Sequence, residues 1–331
     1  MILAAGMGTR LGTLGTQCPK PLVPVCGYPA ITFSLVRCAA AGLRDVVINL
    51  FHHGEQIRRA LGDGASFGVR IRYSEEEVLL GTGGGIEHAR RLFAPGPVLV
   101  INGKVVADLA FDAVVAAHQA SGALATLVVR PNPDPELFPP IAVDARNRVV
   151  GIRGRRIDDA TPPVTDRMFA GIYVMEPRLV DRLPRGVSDV LSASVEPALV
   201  EGLPIGALFY DGYFEEHSTP ERYLEGNLRL LRDPSLLAHP PGPLLGVDPS
   251  ATVHPTATLV PPVRVAAGAT VEAGAIVGPE AVVGEGARIG AGAHLKKSVV
   301  WPGVEHAGAQ ENAIVTPQGT VTCVLPEPPA V

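Results

Sequence analysis

Along its first half the chain alternates short apolar runs with stretches of helical period. Residues 2–5, 46–50, 69–73 and 98–101 are strand-length runs dominated by Ile, Leu, Val and Ala, and between them 31–41 and 55–61 repeat apolar side chains at helical spacing. Such alternation predicts βαβ units on a mostly parallel sheet, a Rossmann-like α/β fold. The pattern continues with a helix over 111–121, strands over 123–129 and 172–174, and a helix over 220–231. Residues 237–245 are rich in Pro and Gly and read as a stiff linker. The predicted organisation is therefore an α/β domain over 1–236, a linker over 237–245 and a second domain over 246–331.

In that second domain the apolar positions keep a period of six: Val247, Val253, Leu259, Val265, Val271, Val277, Val283, Ile289 and Leu295. Small residues precede most of them by two positions, as at Ala251, Ala257, Ala269 and Ala275. A disordered chain has no reason to hold aliphatics in register, whereas a three-sided left-handed parallel β-helix stacks each one on its equivalent in the next coil. After Leu295 the period decays, and the tail to 331 is expected to cap the open end of the solenoid. Regular flat faces of this kind favour self-association, so a homo-oligomer is expected.

Composition narrows the function. Aromatic residues make up only 5% of the chain and the net charge is −5, so there is neither a stacking platform nor a basic field for nucleic acid. No apolar run reaches membrane-spanning length, and Cys18, Cys26, Cys38 and Cys323 form no C-x-x-C pair; a cytoplasmic protein with reduced thiols and no membrane association is expected.

The chemistry starts immediately after the first apolar run. Leu3-Ala4-Ala5-Gly6-Met7-Gly8-Thr9-Arg10 is a glycine-rich turn whose backbone amides are able to approach an anion, with a forked guanidinium at its end. Ten residues on, Pro19-Lys20-Pro21-Leu22 frames one ammonium between two prolines. A lysine presented on a rigid frame suits charge that develops on a phosphoryl group.

The stretch from Leu3 to Pro29 resembles the signature of the sugar-1-phosphate nucleotidylyltransferases, and Ala41-Gly42, Val46–Asn49, Gly81-Thr82-Gly83-Gly84-Gly85, Asn102-Gly103, Gly171-Ile172-Tyr173 and Thr219-Pro220-Glu221-Arg222-Tyr223-Leu224 extend the resemblance to about residue 227. The nearest in kind charge mannose-1-phosphate or N-acetylmuramate-1-phosphate with GTP or UTP. The resemblance implies a reaction in which the phosphate of a sugar-1-phosphate attacks the α-phosphorus of a nucleoside triphosphate and pyrophosphate leaves. It implies that Arg10 and Lys20 are catalytic and that Leu3, Ala5, Gly6, Gly8, Thr9, Gly81, Thr82, Gly83 and Asn102 bind the nucleotide. Ala170 and Gly171 fall on the sugar side. Arg153, Arg155 and Arg156 form a basic cluster near that side, and Glu75-Glu76-Glu77 reads as a solvated acidic face.

The family's Mg²⁺ site departs from its usual residues. Members carry Asp directly after Asn-Gly and this chain has Lys104; the Asp that precedes Thr-Pro is here Glu216, while Asp108 keeps a nearby acidic position. An ammonium repels a cation, so Mg²⁺ at Asp108 and Glu216 would be weakly held. The loop also differs, with Leu11-Gly12-Thr13-Leu14-Gly15 replacing a proline-stiffened segment. Three readings follow: an active nucleotidylyltransferase, a catalytically inactive relative that senses a nucleotide or nucleotide sugar and regulates a partner protein, and a structural assembly unit.

Overall fold

In the computed structural model, which describes residues 1–325, the chain forms two compact units, each discontinuous in sequence. The first comprises Met1–Gly6, Ser34–Val105 and Leu109–Phe214; the second comprises Met7–Phe33, Val106–Asp108 and the chain from Glu215 onward. Positions 326–331 of the expected cap lie outside the described residues. Among the described residues no helix is long and apolar enough to cross a membrane.

The first unit is built on a mixed, mostly parallel sheet. Strand Ile2–Leu3 lies between Asp45–Leu50 and Val98–Asn102 and runs parallel to both, and Arg70–Glu75 extends this parallel half. The first strand is shorter than the apolar run predicts. Its ladder stops because the Ala4 N–H turns to the side-chain oxygen of Asn49, at 2.8 Å, rather than to a neighbouring backbone carbonyl.

Strand Thr165–Met175 then runs antiparallel to Val98–Asn102 and carries Ala125–Arg130 on its other side, with Ile205–Phe209 parallel beyond it. The alternation of buried positions along these strands feeds one core that contains Val100, Leu127, Val129, Tyr173, Met175, Val195 and Leu199. Burying side chains of this size contributes roughly 1.5–3 kcal/mol each. That core anchors the strand ends on which the site is built.

In the second unit the hexad period becomes geometry. Val247 pairs with Val265, Val253 with Val271, Leu259 with Val277 and Val265 with Val283, so three hexads make one coil and the three faces are three parallel sheets. A left-handed parallel β-helix results, its interior filled by Val265, Val271, Val277, Val283, Ile289 and Leu295. The decay after Leu295 has a structural counterpart. Coils shorten until His294 pairs with Ala309, and the hairpin of Ala313–Thr316 with antiparallel Gly319–Thr322 ends the parallel stack.

The helix Pro220–Arg232 also belongs to this unit. Its N-cap Thr219 accepts from the Arg222 N–H, and Pro220 occupies the first turn, where no amide partner is lost. Its buried face ties two distant segments to it. Tyr223 donates to the Pro24 carbonyl at 2.6 Å and accepts from Trp301 Nε1 at 3.2 Å, while Asn227 accepts from the Cys26 N–H at 2.7 Å.

Candidate functional site

Within the second unit the glycine-rich loop folds tightly upon itself. After Gly8, in the left-handed region at φ 71°, Thr9–Leu11 forms a short 3-10 turn and Thr13–Gln17 a short helix. A Cβ at Gly15 would stand 2.5 Å from the Gly8 carbonyl oxygen. The glycine that replaces the family's stiffer spacer is therefore a packing residue: it lets two backbone turns touch.

The same turn brings Lys20 near Gly8, where an added Cβ would stand 3.9 Å from the lysine Cγ. Lys20 opens a second 3-10 turn, Lys20–Leu22, with the buried Pro21 behind it. Arg10 stands at the loop's outer edge, half exposed, with Nη2 3.9 Å from Glu216 Oε1. One cation is thus held against the glycine turn while the other stays reachable from solvent. Gly6, which ends the first unit's strand segment, has open space where a side chain would be, so its backbone is accessible.

The first unit holds the remaining candidates. Leu3 lies between Asn49 and Asn102 in the parallel ladder, and the Gly103 N–H donates to the Leu3 carbonyl at 2.9 Å. Opposite Asn102, the pairing of Thr165–Met175 with Ala125–Arg130 breaks register between Phe169 and Tyr173, which places Ala170 and Gly171 in a bulge. Gly171 adopts φ 69°, and a Cβ there would meet the Asn102 amide nitrogen at 2.2 Å. Only glycine meets both demands. Gly171→Ala is expected to lower stability by about 1–3 kcal/mol; an unchanged urea midpoint would disprove this close approach.

Gly81-Thr82-Gly83 opens a helix, Gly81–Ala89. Thr82 is pinned by Asp189: its hydroxyl donates to Oδ2 at 3.0 Å and accepts from the Val190 N–H at 2.9 Å. Asp189 also accepts from the Ser192 N–H and from Arg153, each at 3.1 Å. Burial works to raise the Asp189 carboxyl, but the Ser192 amide, Arg153 and Thr82 outweigh it and hold it below the ordinary carboxylate range.

These side chains line a cleft of about 230 Å³ together with Asn102, Phe169 and Tyr173. The Tyr173 hydroxyl there is buried and has no hydrogen-bond partner among the described residues, and burial raises its pKa. A cleft with an acceptor carboxylate, a guanidinium, an amide and an unpaired phenol suits a hydroxyl-rich ligand. Of the basic cluster, Arg153 alone lines this cleft; Arg155 pairs with Glu196 and Arg156 with Asp166. Asp189 went unnoticed in the sequence because no local spacing marks it. Tyr173 was legible only as part of Gly171-Ile172-Tyr173.

Both carboxylates expected near Mg²⁺ already have polar neighbours. Glu216 lies 3.9 Å from the Arg10 guanidinium, and Asp108 Oδ1 already accepts from the Ala238 N–H at 3.0 Å. Among the described residues no group of three or more His, Cys, Asp or Glu side chains is arranged to hold a metal. A hard dication prefers six or more oxygen donors.

Residues 1–202 match the family model described as nucleotidyl transferase. The chain belongs to the sugar-1-phosphate nucleotidylyltransferase family. It is 32% identical over 245 residues to a mannose-1-phosphate guanylyltransferase of Mycobacterium tuberculosis, covering 72% of this chain and 67% of the relative. A mannose-1-phosphate guanyltransferase of Schizosaccharomyces pombe is 32% identical over 265 residues, covering 76% and 72% of the two chains. Among solved structures, a Bacillus anthracis protein described as a glucose-1-phosphate thymidylyltransferase, in complex with sucrose, shares the fold. Its TM-score is 0.59 at 19% identity, covering 70% of this chain and 94% of that one.

Proposed function

We propose that this member of the family forms a nucleotide sugar from a nucleoside triphosphate and a hexose-1-phosphate. An oxygen of the sugar phosphate attacks the α-phosphorus, the bond to the bridging oxygen of the β-phosphate breaks, and pyrophosphate leaves. The observation that carries this reading is the packing of Lys20 against Gly8 in a loop that also presents Arg10. Two cations on a glycine turn suit a triphosphate, because little covalent chemistry is asked of the protein beyond positioning and charge neutralisation. In this reading Gly6, Gly8 and Thr9 offer the phosphate cradle.

The relatives are named for mannose-1-phosphate and guanine nucleotide, so GTP with mannose-1-phosphate is the first pair to test. The assay follows pyrophosphate release over all four ribonucleoside triphosphates and a panel of sugar-1-phosphates. Silence with every pair would sink the enzymatic reading.

One observation supports the second reading, an inactive nucleotide sensor: Lys104 follows Asn102-Gly103 at the end of the strand, where the family places a carboxylate for Mg²⁺. Converting it is informative under either reading. Lys104→Asp is expected to raise Mg²⁺-dependent pyrophosphate release by roughly tenfold at limiting metal, since a ligand replaces a repelling charge. If the Mg²⁺ titration is superimposable on that of the parent, Lys104 has no bearing on metal use.

A further inference from the structure

Inside the first unit a buried relay links two segments that the family resemblance assigns to the nucleotide. Glu76, expected on a solvated acidic face, is 7% exposed. Its Oε1 accepts from the Asn49 amide nitrogen at 2.7 Å and its Oε2 accepts from the Leu80 N–H at 3.0 Å. Asn49, 2% exposed, turns its own oxygen to the Ala4 N–H at 2.8 Å. The helix backbone seats directly on this pair, since a Cβ at Gly85 would stand 2.8 Å from Glu76 Oε1 and 2.9 Å from Asn49 Nδ2.

The chemistry at the two middle positions follows from the ends. The Ala4 and Leu80 amides are obligate donors, so the two side chains between them must present an acceptor at each outer end and one donor to one acceptor where they meet. An amide facing a carboxylate satisfies this. Two carboxylates would repel, and two amides would leave donor against donor. Burying a carboxylate is costly unless its oxygens are engaged, and here both are engaged by groups that belong to different segments.

Ala4 immediately precedes Ala5-Gly6, and Leu80 immediately precedes Gly81-Thr82-Gly83. We propose that Asn49 and Glu76 are positioning residues that lock the entry of the glycine-rich turn to the start of the helix at Gly81, so that a nucleoside triphosphate meets both segments already spaced. The functional half of this inference rests on the nucleotide reading above; the coupling itself does not.

Three variants test it: Glu76→Gln, Asn49→Asp, and the two combined. Each single change breaks the donor order, by donor against donor or by carboxylate against carboxylate. The double change restores it with the charge moved to position 49. Hydrogen exchange without ligand should show residues 4–6 and 80–83 loosening together by about tenfold in each single variant, with protection recovered in the double. Titration with each of the four ribonucleoside triphosphates should show affinity about tenfold weaker in the singles and recovered in the double.

Loosening confined to one segment, or no recovery in the double variant, would overturn the coupling. Paired loosening with nucleotide affinity unchanged would overturn the positioning role. A parent protein that binds none of the four nucleotides would refute the proposed function instead, and the exchange measurement would still decide whether the relay couples the two segments.

Discussion

Replacing Lys20 with alanine is expected to lower the rate of pyrophosphate release by about 10²–10³-fold, the usual loss when one preorganised group that stabilises transition-state charge is removed. The reason lies in how the side chain is held. Pro19 and Pro21 restrict the backbone on either side, Lys20 opens a 3-10 turn, and its stem lies against Gly8. A lysine so fixed gives up little further conformational entropy when it meets a phosphate, so its charge acts where the phosphoryl group passes.

Because that charge develops most fully in transit, the larger part of the loss should fall on kcat rather than KM. Lys20→Arg should recover only part of the rate, since a planar fork does not place its charge where the ammonium stood. An alanine variant within a factor of two of the parent, with circular dichroism unchanged, would show that the loop is structural.

Acid should destabilise the fold through His217. This imidazole is fully buried beside the Tyr223 ring. Burial first, then the nearby Arg222 cation, pushes it from the ordinary 6.5 down to about 4, against the weaker opposing pulls of a hydrogen bond with the Arg222 backbone and of the Glu216 carboxylate. The sign follows from proton uptake. Between these two values the unfolded chain binds a proton that the native state refuses, so stability is complete above 6.5 and falls as pH drops toward 4.

At 1.36 kcal/mol for each pKa unit the loss over that window is about 3 kcal/mol. Urea unfolding in metal-free buffer from pH 7.5 to 4 measures it. His217→Leu should flatten this part of the profile, because no proton is then taken up at that position. If the parent and His217→Leu lose stability in parallel, the burial of a neutral imidazole is not the cause.

Much of the fold was legible because its regularities are local. A period of six in Val265, Val271, Val277 and Val283 admits few solutions other than a three-sided coil, and the alternation of apolar runs with helical stretches is what a parallel sheet with crossovers requires. The tight turns around Gly8 and Pro19-Lys20-Pro21 are local in the same way, since the geometry is carried by the backbone of those residues themselves. Within the acidic run, Glu75 and Glu77 do face solvent, but Glu76 was misread for the complementary reason: whether a carboxylate faces water depends on which distant amides stand opposite it.

What the amino-acid order determined alone is the identity of each module, because short-range spacing is enough to specify a turn, a strand or a coil. What only the tertiary structure decided is which side chains share a cleft. The pinning of Thr82 by Asp189, the contact of Gly171 with Asn102 and the burial of Glu76 against Asn49 all join residues far apart in the chain. Such contacts are selected by packing and by the need to satisfy every buried polar group, conditions that no stretch of sequence states until the chain has closed around them.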